Sequence, residues 1–300
     1  MSLFKRPDSL KMSGSLGLED QKNIKKTVDK HWKTCHIKQL PKYLQDNDYL
    51  HDQHRPPLSS YRQCFASIFR KHTETGNILT HLIGFLLFIV IAKTLFIINT
   101  FKPIDTLMLC VYFTGALVCH LLSTVYHVCK CHSQEVCQVF HRLDYCGISM
   151  QIICSMIPAF YYGFHHKYIQ WFYVYSGSGL MFFTLALVIS LRPKFGTPKY
   201  RPLRAVVFLT FGLSNIIPGI HWLMIAEPEF YYPFSLVIAQ GVLYVIGAVI
   251  YAMRVPEKYF PGKCDLFPQS HQIFHTFVTI AAIVHFRSIY RMIYLRQTYF

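Results

Sequence analysis

Charged residues are scarce in this chain. They fill 15% of its 300 positions, where a soluble domain carries about 25%. The deficit is uneven: residues 1–75 are polar and charged, and almost everything after them is apolar. A water-soluble fold is therefore excluded for the larger part of the chain. Acidic residues are scarcer still, 15 against 30 Lys and Arg, which leaves a net charge of +15. The basic residues form no stripe interleaved with stacking aromatics, so no nucleic-acid partner is expected. Most of them lie beside apolar runs, as at a charged membrane surface. An apolar leader is also missing, since Met1–Asp20 has no hydrophobic region, and the N-terminus is expected to stay in the cytosol. Finally, the ten cysteines make no paired framework. Four lie in or near one short loop and several within apolar runs, a pattern of free thiols rather than disulfides.

What is present is a series of long apolar runs. A bilayer core needs about 20 apolar residues per helix, and the stretch 76–293 holds seven such spans, at roughly 77–98, 104–127, 143–164, 168–191, 204–226, 232–253 and 270–290. The expected fold class is an all-α membrane protein with seven transmembrane helices. Residues 1–40 are Lys-rich and unpatterned, and read as a disordered segment. Residues 41–75 read as a cytosolic segment that carries a short amphipathic helix, because Tyr61, Phe65, Ile68 and Phe69 recur at helical spacing among Arg62, Arg70 and Lys71. Residues 294–300 are left as a short tail. Pro158 and the pair Pro218–Gly219 are expected to kink the third and fifth spans.

Lys and Arg set the orientation. With the N-terminus inside, residues 1–76 hold 14 of them and the inner loops ten more, while the outer side holds five. Lys93, near the outer end of the first span, can snorkel. This asymmetry puts the N-terminus in the cytosol and, after seven spans, the C-terminus outside.

Ionisable groups inside a membrane are costly and therefore candidates for function. Under this topology His127, Asp144, His271 and His275 all fall at one depth, in the inner leaflet. His271 and His275 share a helix face one turn apart, a spacing that can clamp Zn²⁺. Sixteen histidines give about one such pair by chance, so the pair gains meaning only from His127 at the same depth. Three histidines with an open fourth position is a catalytic-zinc pattern, whereas structural sites are normally closed by four ligands. Asp144 reads either as general base to a zinc-bound water or as a carboxylate favoured at a helix N-terminus. Ser123, one turn before His127, reads either as a hydrogen-bond partner of that water or of a substrate carbonyl, or as a back-bond to its own helix. A second constellation, Glu74-Thr75-Gly76-Asn77 with His81, suits polar contacts between helices. His120, His221 and His285 read as structural hydrogen-bonders. Cys129, Cys131 and His132 with Cys137 form a rival metal cluster of irregular spacing, more in keeping with free thiols or palmitoylation. His165–His166 has no acidic or thiol neighbour and is assigned no role.

These residues resemble the progestin and adipoQ receptor family, most closely its adiponectin-receptor branch. The resemblance covers about residues 40–293 and is carried by NDYLHDQHRPP at 47–57, HTETGNILTHLIGF at 72–85, Ser123-x-x-x-His127, LDYCGI at 143–148 and PEKYFPGKCDLFPQSHQIFH at 256–275. It implies seven helices with a cytosolic N-terminus, zinc on His127, His271 and His275, and Asp144 on the metal-bound water. It also implies ceramidase-type hydrolysis of a lipid amide, with membrane lipids and a ceramide-like substrate as partners. An extracellular protein ligand, homo-oligomerisation and a plasma-membrane location, with internal membranes as the alternative, complete these expectations. The alternative reading is a non-enzymatic receptor or scaffold in which zinc is structural.

Overall fold

The structure is a computed structural model that describes residues 32–164, 168–196 and 200–299. The chain divides into two units, Met1–Lys33 and Thr34–Phe300, and the architecture below is that of the second. Among the described residues it is all helical, with no strand beyond one isolated bridge between Cys35 and His54. A short helix α1 (Tyr61–Ala66) precedes α2 (Thr75–Ile98), α3 (Pro103–Cys129), α4 (Gln134–Phe164), α5 (Ile169–Leu191), α6 (Arg201–Leu213), α7 (Ile216–Ile225), α8 (Tyr231–Met253) and α9 (Ser270–Tyr299). Seven helical segments are long and apolar enough to cross a membrane, α6 and α7 together making one of them. Their outward faces carry large apolar side chains, such as Ile83, Val90, Ile97, Val242 and Val249, as lipid requires.

Sequence and structure part company at the helix ends. The third span was expected to begin at 143, yet α4 starts at Gln134, and α9 runs on to Tyr299 through most of the expected tail. At 1.5 Å per residue, 31 residues of α4 make a rod of about 46 Å, well beyond the ~30 Å apolar core. The extra turns are polar, so a hydropathy window does not register them. The fifth span is broken between Leu213 and Ile216. Pro218 has no N–H to donate to the carbonyl four residues back at Ser214, so the helix parts at that turn. Pro158 sits within an uninterrupted α4.

Residues 34–75 are folded, including positions 34–40, which the sequence places in an unpatterned segment. Backbone pairs hold them: Cys35 N–H donates to His54 O at 2.9 Å and Ile37 N–H to His51 O at 2.8 Å. In α1 and the turn after it, Tyr61, Phe65 and Phe69 are exposed while Cys64 and Ser67 are buried, the two-faced pattern of an interfacial helix.

This segment ties the ends of α3 and α9 together. Arg55 Nη2 donates to His127 O at 2.7 Å, and Leu58 N–H to Cys131 O at 2.9 Å. On the other side, Asp265 accepts the backbone N–H groups of His51 and Asp52 at 2.8 and 2.9 Å. Gln269 donates to Thr73 O at 3.0 Å. Glu257, fully buried, accepts from Asn47 at 3.1 Å and from the backbone of Ser270, the first residue of α9, at 2.8 Å. Hydrogen bonds to a charged group contribute about 1.5–3 kcal/mol each. Two of the sequence stretches that carry the family resemblance, 47–57 and 256–275, are thus bonded to each other. Gly76 completes the junction: a Cβ there would collide with the side chain of Gln272, so α2 and α9 meet as closely as they do because glycine stands at this turn. The other half of the bundle is packed with apolar side chains, among them Phe88, Tyr112, Phe113, Trp222 and Met292.

Candidate metal centre

Three helix positions build the centre. His127 lies in the last turn of α3, and His271 and His275 in the first turns of α9. Their rings stand 5.0, 5.1 and 4.4 Å apart, centroid to centroid. One nitrogen from each lies within 4.8 Å of the other two. Tetrahedral zinc with bonds of 2.0–2.1 Å holds its ligand nitrogens about 3.3 Å apart, so small side-chain movements close the cluster. Among the described residues this is the one group of three or more His, Cys, Asp or Glu so arranged.

The remaining ring nitrogens fit the histidines for a metal. His127 Nδ1 donates to Glu74 Oε2 at 2.7 Å. Its Nε2 is buried without a partner, a state that costs about 1–3 kcal/mol when nothing binds there. His275 Nδ1 donates to the carbonyl of Asn77 at 3.3 Å, beside Thr80 Oγ1 at 3.2 Å. These partners leave each Nε2 lone pair facing inwards, the usual arrangement behind a metal-bound histidine. His271 is less enclosed and packs against Tyr251, with ring centroids 4.7 Å apart.

Glu74 is held in turn. Lys130 Nζ donates to its Oε1 at 2.9 Å and Asn77 Nδ2 to its Oε2 at 3.0 Å. Burial pushes the Glu74 carboxyl up, but Lys130 and His127 more than reverse this and hold it well below its usual range. The sequence suggests helix contacts for Glu74. The structure gives it a more specific place, behind a candidate ligand. Its partner is 53 positions away, so no local spacing reveals the pair; only its position at the N-terminal end of the first span hints at it. Loss of such a supporting carboxylate typically lowers metal affinity about 10–100-fold. Glu74→Gln is expected to weaken zinc binding by that factor with the helical content unchanged, as measured by competition with a chelating dye and by circular dichroism.

Asp144 and Ser123 come together beside the cluster. The Asp144 carboxylate interacts with the Ser123 hydroxyl and with His127. Asp144 lies ten residues into α4, so it is no helix N-terminal carboxylate. It is also not one of the three clustered ligand residues.

The rival cluster does not assemble. Cys129, Cys131 and Cys137 are buried free thiols, and His132 turns away to stack on Tyr61 at 4.4 Å. Their burial also withholds these thiols from palmitoylation. The single histidines serve as hydrogen-bonders: His120 to Ala116 O at 2.8 Å, His221 with Tyr175 Oη at 2.8 Å, and His285 to Ser155 O at 3.0 Å. His81 packs its ring against His275, 3.9 Å between centroids. His165 and His166 lie outside the described residues.

A family model described as haemolysin-III related matches residues 69–286. The chain is 47% identical over 283 residues to a protein named adiponectin receptor protein from Drosophila melanogaster, covering 92% of this chain and 63% of that one. It is 41% identical over 285 residues to progestin and adipoQ receptor-like protein 1 from Caenorhabditis elegans, covering 91% of this chain and 64% of the relative. It is 35% identical over 269 residues to the ADIPOR-like receptor IZH2 of Saccharomyces cerevisiae, covering 86% and 84%. The chain thus spans a little under two thirds of the length of the fly and worm relatives.

Proposed function

The chain belongs to the haemolysin-III-related, adiponectin-receptor-like family of seven-helix membrane proteins, and from that premise we propose that it holds one zinc ion on His127, His271 and His275 and hydrolyses the amide bond of a ceramide-like lipid, acting as a receptor in lipid metabolism. The observation that carries this reading is the convergence of three histidines, with one buried Nε2 unpartnered, next to a carboxylate that is not itself among the ligands. Bound there, zinc supplies Lewis acidity, which brings a water's pKa down towards about 7 and polarises a carbonyl. Asp144 takes the proton of the attacking water and returns it to the leaving amine. Ser123 fixes the carboxylate by its hydroxyl. Glu74 holds the His127 ring in the tautomer that presents Nε2. A substrate anchored in the inner leaflet reaches these groups sideways from lipid.

A second reading is favoured by the position of the cluster at the junction of α3 and α9: the metal staples two helices of a receptor or scaffold, without chemistry. Zinc content is the same in both. Turnover of a labelled ceramide by the purified, zinc-loaded protein separates them. The enzymatic reading expects fatty-acid release that a chelator abolishes and added zinc restores; release no faster than from the Asp144→Ala protein would leave the staple.

The topology is proposed with it. The N-terminus is cytosolic and the C-terminus extracytosolic, at the plasma membrane. Epitope tags at each end, stained in intact and in permeabilised cells, are expected to show the C-terminal tag in both and the N-terminal tag only after permeabilisation. An N-terminal tag stained in intact cells would reverse the orientation.

A further inference from the structure

We propose that Cys64 and Cys131 form a reversible disulfide, a modification site beside the metal centre in which Cys131 is first oxidised by a hydroperoxide and Cys64 resolves it. Their sulfur atoms lie 3.6 Å apart although 67 positions separate them in the chain. Cys64 sits in α1 and Cys131 in the turn between α3 and α4. Both side chains are enclosed, at 0% and 2% exposure. A disulfide needs the sulfurs at about 2.05 Å, so the pair has to close by roughly 1.5 Å. The two segments are already registered by the Leu58 N–H bond to Cys131 O at 2.9 Å.

The two thiols are not equivalent. Arg55, itself buried, donates to Ser67 Oγ at 2.5 Å and to His127 O at 2.7 Å, and its charge acts on both thiols. Each thiol also has a carbonyl within reach, Leu58 O at 3.4 Å for Cys64 and Val128 O at 3.8 Å for Cys131, and contact with Cys64 together with the Arg55 charge pulls the Cys131 thiol down against burial. Thiolate is the reacting form. Access is likewise one-sided. A cavity of about 20 Å³ is lined by Arg55, Glu74, Lys130 and Cys131 but not by Cys64, room for a molecule near the size of water. A small hydroperoxide fits this opening where a larger oxidant does not.

The steps balance. The Cys131 thiolate attacks one oxygen of hydrogen peroxide, the O–O bond breaks, and the leaving hydroxide takes up the proton that the thiol gave up on ionising, so that water and a sulfenic acid result. The Cys64 thiol then attacks that sulfur, the S–O bond breaks, and a second water leaves with the disulfide formed. An external dithiol reverses the reaction. Disulfides of this transient kind are the ones expected in a reducing compartment. Because Arg55 joins Ser67, whose hydroxyl donates to Cys64 O at 2.6 Å, to the carbonyl of His127, closing the bond bears on the end of α3 that carries a candidate ligand.

The test is peptide mapping of the purified full chain after hydrogen peroxide and alkylation. Trypsin places Cys64 in peptide 63–70 and Cys131 in peptide 131–142. These two are expected as one linked species, lighter by two hydrogens than the separate peptides and parted by dithiothreitol, with fragmentation assigning the bond to Cys131 rather than Cys137. In the Cys64→Ser protein the sulfenic acid should persist and be captured on Cys131 when the peroxide-treated chain is unfolded in the presence of a cyclic 1,3-dione; in Cys131→Ser no capture at Cys64 is expected. Zinc content of each variant reports that it has folded. Linkage of Cys131 to Cys129 or Cys137, first capture on Cys64, or no linked species in the unmodified chain would overturn the proposal. None of these outcomes depends on whether the metal centre hydrolyses lipid.

Discussion

Protein carrying both His271→Ala and His275→Ala is expected to purify with essentially no zinc, and His127→Ala with much less than one ion per chain. Each change removes one imidazole of the cluster, and the His127 and His275 rings are held through Nδ1 by Glu74 and by the Asn77 carbonyl. The double variant leaves a single histidine, which cannot hold a metal against a chelator. Metal analysis by plasma mass spectrometry reads the result, and His221→Ala serves as the control, since that ring is engaged with Tyr175 at 2.8 Å. The double variant should also melt earlier, because ligand binding to the folded state alone stabilises it. Full zinc occupancy in the double variant would remove the site assignment.

Asp144→Asn is expected to keep its zinc and lose its turnover. Asparagine preserves the size of the side chain and an acceptor for Ser123, but it cannot take a proton. Loss of a general base typically costs about 10²–10⁴ in rate. Asp144 stands within reach of Ser123 and beside His127 without joining the ligand cluster, so metal affinity should change little. The measurement pairs ceramide turnover with zinc content on the same preparation. Unchanged turnover with zinc present would take Asp144 out of the mechanism. Loss of zinc would make it a ligand, and the centre would then be closed and structural.

The clustering of the three histidines was legible in the sequence because a membrane imposes depth. Once seven spans and an orientation are assigned, His127, His271 and His275 fall in one plane without reference to their spacing, and Asp144 and Ser123 follow. What surrounds them was not legible. Glu74 supports His127 from 53 positions away and Arg55 reaches the same residue from 72 away; no periodicity encodes such pairs. The family resemblance marked the stretches around Asp265 and His51 but not that they bond to each other, which only the folded segment before the first span reveals. Helix lengths escaped for another reason: hydropathy sees the lipid-crossing part of α4 and not its polar first turns. The break at Leu213 was closer to hand, since Pro218 fixes it within one turn.

The central claim is that the metal sits on three imidazoles, and zinc-edge X-ray absorption of the purified chain tests it most directly. The account predicts a first shell of nitrogen and oxygen only, at about 2.0–2.1 Å, with the outer scattering of imidazole rings that weakens when His127, His271 or His275 is replaced. A shell at about 2.3 Å, the length of a zinc–sulfur bond, would contradict it. The ion would then belong to the buried thiols at Cys64 and Cys131, and the three histidines would be left without a metal.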